Sequence, residues 1–230
     1  MTVFDSAQQI ITDHPAVDAE HNPVIARKNN LGFDALVEII ANYARFPREI
    51  VSVLSSAQSA LIEWSETAGE LERNISEEMG DGSAEKAHYP MFRDGVFQEF
   101  GVDVEDYEQS LGTQRFLSSI RGLVSHAEPT FAAGAVYTIE ATAVPELLVV
   151  KALTTELALF MNKSGINPDG LLFKFLESHI SDFEIEHEQG LRKSLAGHLQ
   201  VPEGPGAFLE GCEEVMNAMD EWWASLARTS

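Results

Sequence analysis

Apolar residues along this chain recur at intervals of three and four in segments broken by proline or glycine, and the period-two alternation of a half-buried strand is nearly absent. The pattern predicts an all-α chain. A short helix is expected near Phe4 to Thr12, followed by an irregular stretch through Asp13-His14-Pro15 and His21-Asn22-Pro23, so that residues 1–30 read as an N-terminal arm or lid. A core bundle over 31–200 begins near Phe33, with one helix toward Ala44, a break at Pro47, a run from Arg48 to about Trp64, and a third helix ending at Glu77-Glu78-Met79. Gly80-Asp81-Gly82-Ser83 is the clearest turn, and Ser83 is the expected N-cap of a helix carrying His88 toward Phe100. Further helices are expected over Val104 to His126, from Pro129 to Glu140 with an interruption at Pro145, on to about Asn162, and from Pro168 through His187. Gly204-Pro205-Gly206 precedes a C-terminal helix over 205–228, and residues 1–230 are expected to form one helical domain.

One stripe breaks the apolar pattern in an informative way. Leu172, Phe175, His179, Phe183 and His187 follow one another at three or four residues and share a face, so two imidazoles point inward with leucine and phenylalanine. Such groups need partners when buried. Glu78, His88 and Glu140 stand in other helical segments, and a cation held between several helices would satisfy many of these groups at once. Three carboxylates with three imidazoles suit two first-row metal ions, whereas zinc alone needs only three or four such ligands.

Composition narrows the remaining possibilities. Fifteen basic residues against thirty-seven acidic ones give a formal charge of -22, which repels nucleic-acid phosphates and acidic membrane surfaces. No long apolar run or export signal stands near Met1 to Asp13, so no membrane insertion is expected. The single cysteine, Cys212, forms no internal disulfide, and a cytoplasmic location fits best. A homodimer is expected from the size and class alone.

The ordered pieces also carry a family resemblance. Asn74-Ile75-Ser76-Glu77-Glu78-Met79-Gly80-Asp81-Gly82 followed by His88, then Phe100-Gly101-Val102, then Ala133-Gly134-Ala135-Val136-Tyr137-Thr138-Ile139-Glu140, and the helix from His179 to His187 together resemble the heme-oxygenase-like diiron oxidases and oxygenases, particularly their CADD-like members. The resemblance covers roughly residues 33 to 200. It implies an all-α, heme-oxygenase-like bundle of seven to eight helices holding two Fe ions without heme, with Mn or a mixed pair as alternatives. It implies an enzyme that activates O2 to oxidise a small organic molecule in a biosynthetic pathway. Matched residue by residue, the metal ligands are Glu78, His88, Glu140, His179, Glu184 and His187.

This chain departs from the family pattern at one place. Relatives show His-x3-Asp-x2-His, whereas here Phe183 stands four past His179 and Glu184 three before His187. In a straight helix Glu184 lies roughly 140° around from His179, and Asp182 and Glu186 lie nearer the inward face. A single π-bulge would absorb the extra residue and turn Glu184 inward. Asp182 and Glu186 therefore stay open as alternatives to Glu184, Glu77 competes with Glu78, and Glu49 could match an added carboxylate on an earlier helix.

Other residues receive plainer readings. His14, His21, His126 and His198 lie near turns or helix ends, where histidine is commonly solvated or capping. Tyr43 and Tyr137 read as core tyrosines or as phenols beside the metals, and Trp64, Trp222 and Trp223 as helix-docking residues. Two competing functions remain: a metal-free member of the same fold, whose hydrolase form needs Cys212 as nucleophile, and a non-enzymatic metal-binding or interaction protein.

Overall fold

A computed structural model of the chain describes residues 2–18, 20–200 and 204–228, and all regular structure among them is helical. The helices are α1 (Val3–Thr12), α2 (Phe33–Tyr43), α3 (Arg45–Ala60), α4 (Ser65–Glu78), α5 (His88–Phe100), α6 (Leu111–Val124), α7 (Pro129–Phe160), α8 (Leu171–Ser178), α9 (Glu184–Leu195) and α10 (Gly204–Leu226). A π turn, His179–Phe183, joins α8 to α9, so these two are one helix in space. No helix of the described residues is long and apolar enough to cross a membrane.

Helix α7 is the central post. Glu128 caps it by accepting from the Thr130 amide, and Pro129 takes the first position, where a missing N–H costs nothing. The expected interruption at Pro145 does not occur. Proline there removes a hydrogen bond to the Ala141 carbonyl, at a cost of ~3 kcal/mol. Neighbouring helices on several sides, α10, α2, α6, α9 and α3 among them, outweigh that cost by burying Leu147, Val150, Leu153 and Leu157 beyond the proline.

Other boundaries shift for local reasons. Pro47 stands in the first turn of α3, which begins at Arg45 rather than after the proline. The segment expected as a helix from Val104 is a 3-10 turn, Val104–Asp106, and α6 starts only at Leu111, where Ser110 accepts from the Thr113 amide. Ser83 precedes a 3-10 turn, Ala84–Lys86, and α5 begins at His88 without a side-chain cap. Gly170, not Pro168, stands at the entry to α8.

The N-terminal segment does not lie over the inward-facing histidines. A capping box between Thr2 and Asp5 starts α1, whose Phe4, Ala7 and Ile11 are buried against α10 and α7. Deeper in, Trp222 stacks on Phe116 at 4.1 Å, and its Nε1–H donates to Thr113 Oγ1 at 3.0 Å. That hydroxyl in turn donates to Asn42 Oδ1 at 2.9 Å, tying α10, α6 and α2 through one satisfied polar chain. Trp64, by contrast, stacks on His198 with centroids 4.3 Å apart.

Helices α7 and α10 touch backbone to backbone. A Cβ on Gly134 would stand 1.9 Å from the Phe208 carbonyl oxygen, and one on Gly211 would stand 2.2 Å from that of Phe131. Gly134→Ala is therefore expected to destabilise the fold by about 1–3 kcal/mol, the usual cost of overpacking. Gly69→Ala, at an exposed position of α4 with open space around it, is expected to stabilise by up to about 1 kcal/mol. Denaturant unfolding of both variants checks the pair, and equal midpoints would contradict the close approach.

Candidate metal centre

Four stretches of backbone deliver the ionisable groups. On α4, Thr67, Leu71, Asn74 and Glu78 recur at four, three and four residues and form the inward face, so helix geometry turns Glu78 rather than Glu77 toward His88. The helix then stops in a Schellman turn. The Gly80 amide donates to the Glu77 carbonyl and the Asp81 amide to the Ser76 carbonyl, both at 2.8 Å. Gly80 has φ +78°, and a Cβ there would stand 2.2 Å from the Ser83 carbonyl oxygen, so this reversal requires glycine. It returns the chain to place His88, at the start of α5, beside Glu78.

Helix α5 approaches α8 closely. A Cβ on Gly95 would stand 2.8 Å from the Leu172 amide nitrogen. This proximity sets the His88 and His179 rings edge to face with centroids 4.2 Å apart. The π turn between α8 and α9 then rotates the following residues, and it answers the spacing anomaly: Glu184 is buried, while Asp182 and Glu186 are exposed.

The donors converge in two overlapping groups. His88, His179 and Glu184 form one, and Glu140, Glu184 and His187 the other, with the chosen donor atoms of each group within 4.8 Å of one another. Glu184 belongs to both. Glu78 joins beside them, its Oε2 at 3.0 Å from His88 Nδ1 and its side chain only 8% exposed. Across the second group, His187 Nδ1 lies 3.2 Å from Glu140 Oε2 and 3.7 Å from Glu184 Oε2.

These contacts are close without being hydrogen bonds. His88 Nδ1, His179 Nε2 and His187 Nδ1 are buried, and none has a hydrogen-bond partner. Two donors each ~2.1 Å from a common ion and at right angles would stand ~3 Å apart, and neither would point at the other. The spacings of 3.0 and 3.2 Å fit that arrangement, and the nitrogen and oxygen donor set suits first-row divalent ions.

Surrounding groups fix the orientation of the donors. His179 Nδ1–H donates to the Phe175 carbonyl at 2.7 Å, which leaves the lone pair on Nε2. His187 Nε2–H donates to Glu77 Oε2 at 2.8 Å, leaving Nδ1 free, and Arg73 donates to the other Glu77 oxygen at 2.5 Å. Glu77 is thus a support for His187. Asn74 Nδ2 reaches Glu140 Oε1 at 3.4 Å. Arg73 has no place in the sequence motif and Asn74 only opens it, although Arg73 stands four before Glu77 and Asn74 four before Glu78, the spacing of helical neighbours.

Several other candidates lie elsewhere. Glu49 is held by Arg121 and does not line the cavity beside the centre. Tyr137 donates to Glu188 Oε1 at 2.6 Å, away from that cavity, whereas Tyr43 lines it. Cys212 is fully buried with Sγ 3.5 Å from the Gly134 carbonyl, and burial pushes its thiol up to about 12. It has neither the access nor the ionisation of a nucleophile. His14 accepts from the Ala16 amide, His21 pairs with Asp18, and His126 accepts from the Glu128 amide.

The cavity itself encloses about 60 Å³ and is walled by Phe46, Ile50, Phe92, Ile139, Leu147 and Phe175 around the donors. Glu146 also lines it. Reading α7 as broken at Pro145 hid this residue, because only an unbroken helix places Glu146 on the same stripe as Ile139 and Ala143.

A helical bundle with a buried carboxylate and imidazole cluster is the class that this fold and site define. The chain belongs to the family described as a domain of unknown function with a solved structure, DUF3865, whose model matches residues 3–229. It is CADD-like: it superposes on the 2.00 Å crystal structure of a CADD-like protein of unknown function from Nostoc punctiforme PCC 73102 with a TM-score of 0.90 and 31% identity, over 99% of this chain and 97% of that one. A second crystal structure under the same description, at 1.35 Å, gives a TM-score of 0.84 and 29% identity over 98% and 93%. No curated protein matches the chain.

Without a bound cation the centre stores protons. Burial, and then the neighbouring Glu140 carboxylate, pushes Glu78 up to about 8, and burial pushes Glu146 up to about 8. Burial opposes charge on His187, but the carboxylates of Glu140, Glu184 and Glu77 outweigh it and raise the imidazole to about 10. Burial lowers His88 to about 4 and His179 to about 3. The raised groups hold protons in the folded chain that the unfolded chain has released, so they lose stability as pH rises toward their folded values. The two lowered histidines oppose this only below about 6.5, the ordinary imidazole value. Chelator-treated protein is therefore expected to melt at lower temperature at pH 8 than at pH 6.5, with added divalent metal flattening the slope. A melting temperature that rises across this window would refute the assignment.

Proposed function

We propose that this chain is a non-heme diiron oxidase or oxygenase of the heme-oxygenase-like superfamily, using O2 to oxidise a small organic molecule. One observation carries the reading: three unpartnered, buried imidazole nitrogens converge with the carboxylates of Glu78, Glu140 and Glu184, and Glu184 is common to both donor groups. The CADD-like fold and the family-ordered donors support it.

The residues divide the work by position. Glu78, His88, His179 and Glu184 would hold one iron, and Glu140, His187 and the shared Glu184 the other. Two reduced irons, when bound, supply the electrons that activate dioxygen. The chain's own contribution is orientation and exclusion of water. Glu77 and the Phe175 carbonyl fix which nitrogen of His187 and His179 faces inward. Phe46, Ile50, Phe92 and Leu147 line a cavity that favours an apolar body beside the donors. Tyr43 is the one phenol in its wall, held by T-shaped packing on Phe92 at 5.8 Å. The hydrolase alternative has no support from Cys212, whose thiol is enclosed among α7 and α10.

Anaerobic loading with ferrous iron, followed by metal counting, tests the proposal. About two irons per chain are expected, with an oxygen-dependent absorbance change on exposure to air. Binding below about a tenth of an equivalent, or unchanged iron content in His179→Ala and His187→Ala, would sink it. Glu77→Gln separates support from ligation: about 10- to 100-fold weaker metal binding with a retained second equivalent at high iron is expected, whereas Glu78→Ala should lose the equivalent outright.

A further inference from the structure

One buried acid in the cavity has no part in the metal assignment. Glu146 is 1% exposed and lines the same cavity, yet it belongs to neither group of convergent donors. Its Oε1 lies 3.0 Å from Thr142 Oγ1, and its Oε2 has no hydrogen-bond partner. A charge on such a group would be costly, and a bare acceptor oxygen is costly too.

The neighbouring threonine serves only one of the two carboxyl oxygens. Thr142 has one hydroxyl hydrogen, and its oxygen lies 2.8 Å from the Thr138 carbonyl. Two other threonines of α7 make the same bond one turn back, Thr138 to Gly134 at 2.9 Å and Thr154 to Val150 at 2.8 Å. Thr142 is the one hydrogen-bond partner of the Glu146 side chain among the described residues, and it serves Oε1 alone. Burial pushes this carboxyl up to about 8. Oε2 is a buried acceptor that awaits a donor.

The lining decides which donor suits it. Among the described residues no lysine or arginine lines the cavity, so a carboxylate or phosphate head placed at Glu146 would meet an acid and find no side-chain cation. The chain as a whole carries a formal charge of -22, which draws cations and repels anions. A primary amine supplies both N–H donors and positive charge. The aromatic and aliphatic walls suit an apolar body behind it.

We propose that Glu146 is the substrate-recognition residue of this cavity, gripping the ammonium end of an apolar-bodied primary amine and so setting its carbon chain beside the histidine and glutamate cluster. The inference rests on reading that cluster as the metal centre. On binding, the ammonium keeps its three protons, Glu146 releases its own to solvent, and the ion pair enters as a neutral unit.

Calorimetric titration of n-hexylamine, n-hexanol and n-hexanoate into chelator-treated and zinc-loaded protein tests this, with Glu146→Gln and Glu146→Leu as variants and metal content measured in each. Hexylamine is expected to bind the unmodified protein, to lose about tenfold or more of its affinity in Glu146→Gln, and to lose more in Glu146→Leu. Proton release on binding, read from the dependence of the heat on buffer ionisation, is expected to vanish in Glu146→Leu. Failure of hexylamine to bind, unchanged affinity in Glu146→Gln, or hexanoate or hexanol binding as tightly as the amine would each overturn the proposal. Loss of zinc from Glu146→Gln would overturn it too, by making Glu146 a ligand. Absence of metal from the unmodified protein would instead overturn the metal centre, and the titration of chelator-treated protein would still decide the role of Glu146.

Discussion

Ionisable groups enclosed in an apolar bundle have to be neutralised, and most of what is distinctive here follows from that. Glu140, Glu184, His88, His179 and His187 are buried, and the Glu78 side chain is nearly so. Taking each charge from water costs several kcal/mol unless something of opposite sign accompanies it. Among the described residues, the ion pairs of Glu78, Glu140 and Glu184 are with imidazoles alone, and Arg73, which reaches Glu77, pairs with Glu70 and Glu77. Protons or bound cations must supply the balance. Protons do so by neutralising carboxylates or by charging His187, while divalent ions also satisfy the three unpartnered nitrogens.

The scaffold meets this demand with rigid and closely packed parts. Helix α7 brings Glu140 to the middle of the molecule, and α10 presses against it where Gly134 and Gly211 leave room for backbone contact. A glycine turn folds α4 back on α5, so Glu78 and His88 meet across ten residues of sequence. The π turn after α8 spends one residue to bring Glu184 and His187 round to the side of His179. Each device holds a side chain on a helix, where packing limits its movement.

The sequence made much of this legible, for reasons that can be named. His179 and His187 stood out because they interrupt an apolar stripe at helical spacing, a signal that needs no knowledge of the partner helices. The extra residue between them, counted against the spacing of the family that the chain resembles, points to a π-bulge. Boundaries that depend on proline are harder: the sequence predicts an interruption at Pro145 because its local cost is fixed, whereas the packing that outweighs it comes from helices far away in the chain. The same misreading concealed Glu146. Glu49 looked like a further ligand from its place after Phe46-Pro47-Arg48, but the chain turns it toward Arg121.

By itself, then, the order of residues determined the helical class, most helix positions and the kinds of donor atom present, because periodicity and residue chemistry are local properties. Only the tertiary structure shows that Glu78 meets His88 while Glu77 meets His187, that Glu184 is buried while Asp182 and Glu186 are exposed, and which nitrogen of His179 and His187 faces its neighbours. Those placements turn on distances of about 3 Å between side chains from separate helices. Adjacent acids such as Glu77 and Glu78 are chemically alike, and they part company only when the packing of α4 against its neighbours turns one toward the cavity and leaves the other to steady His187 from outside.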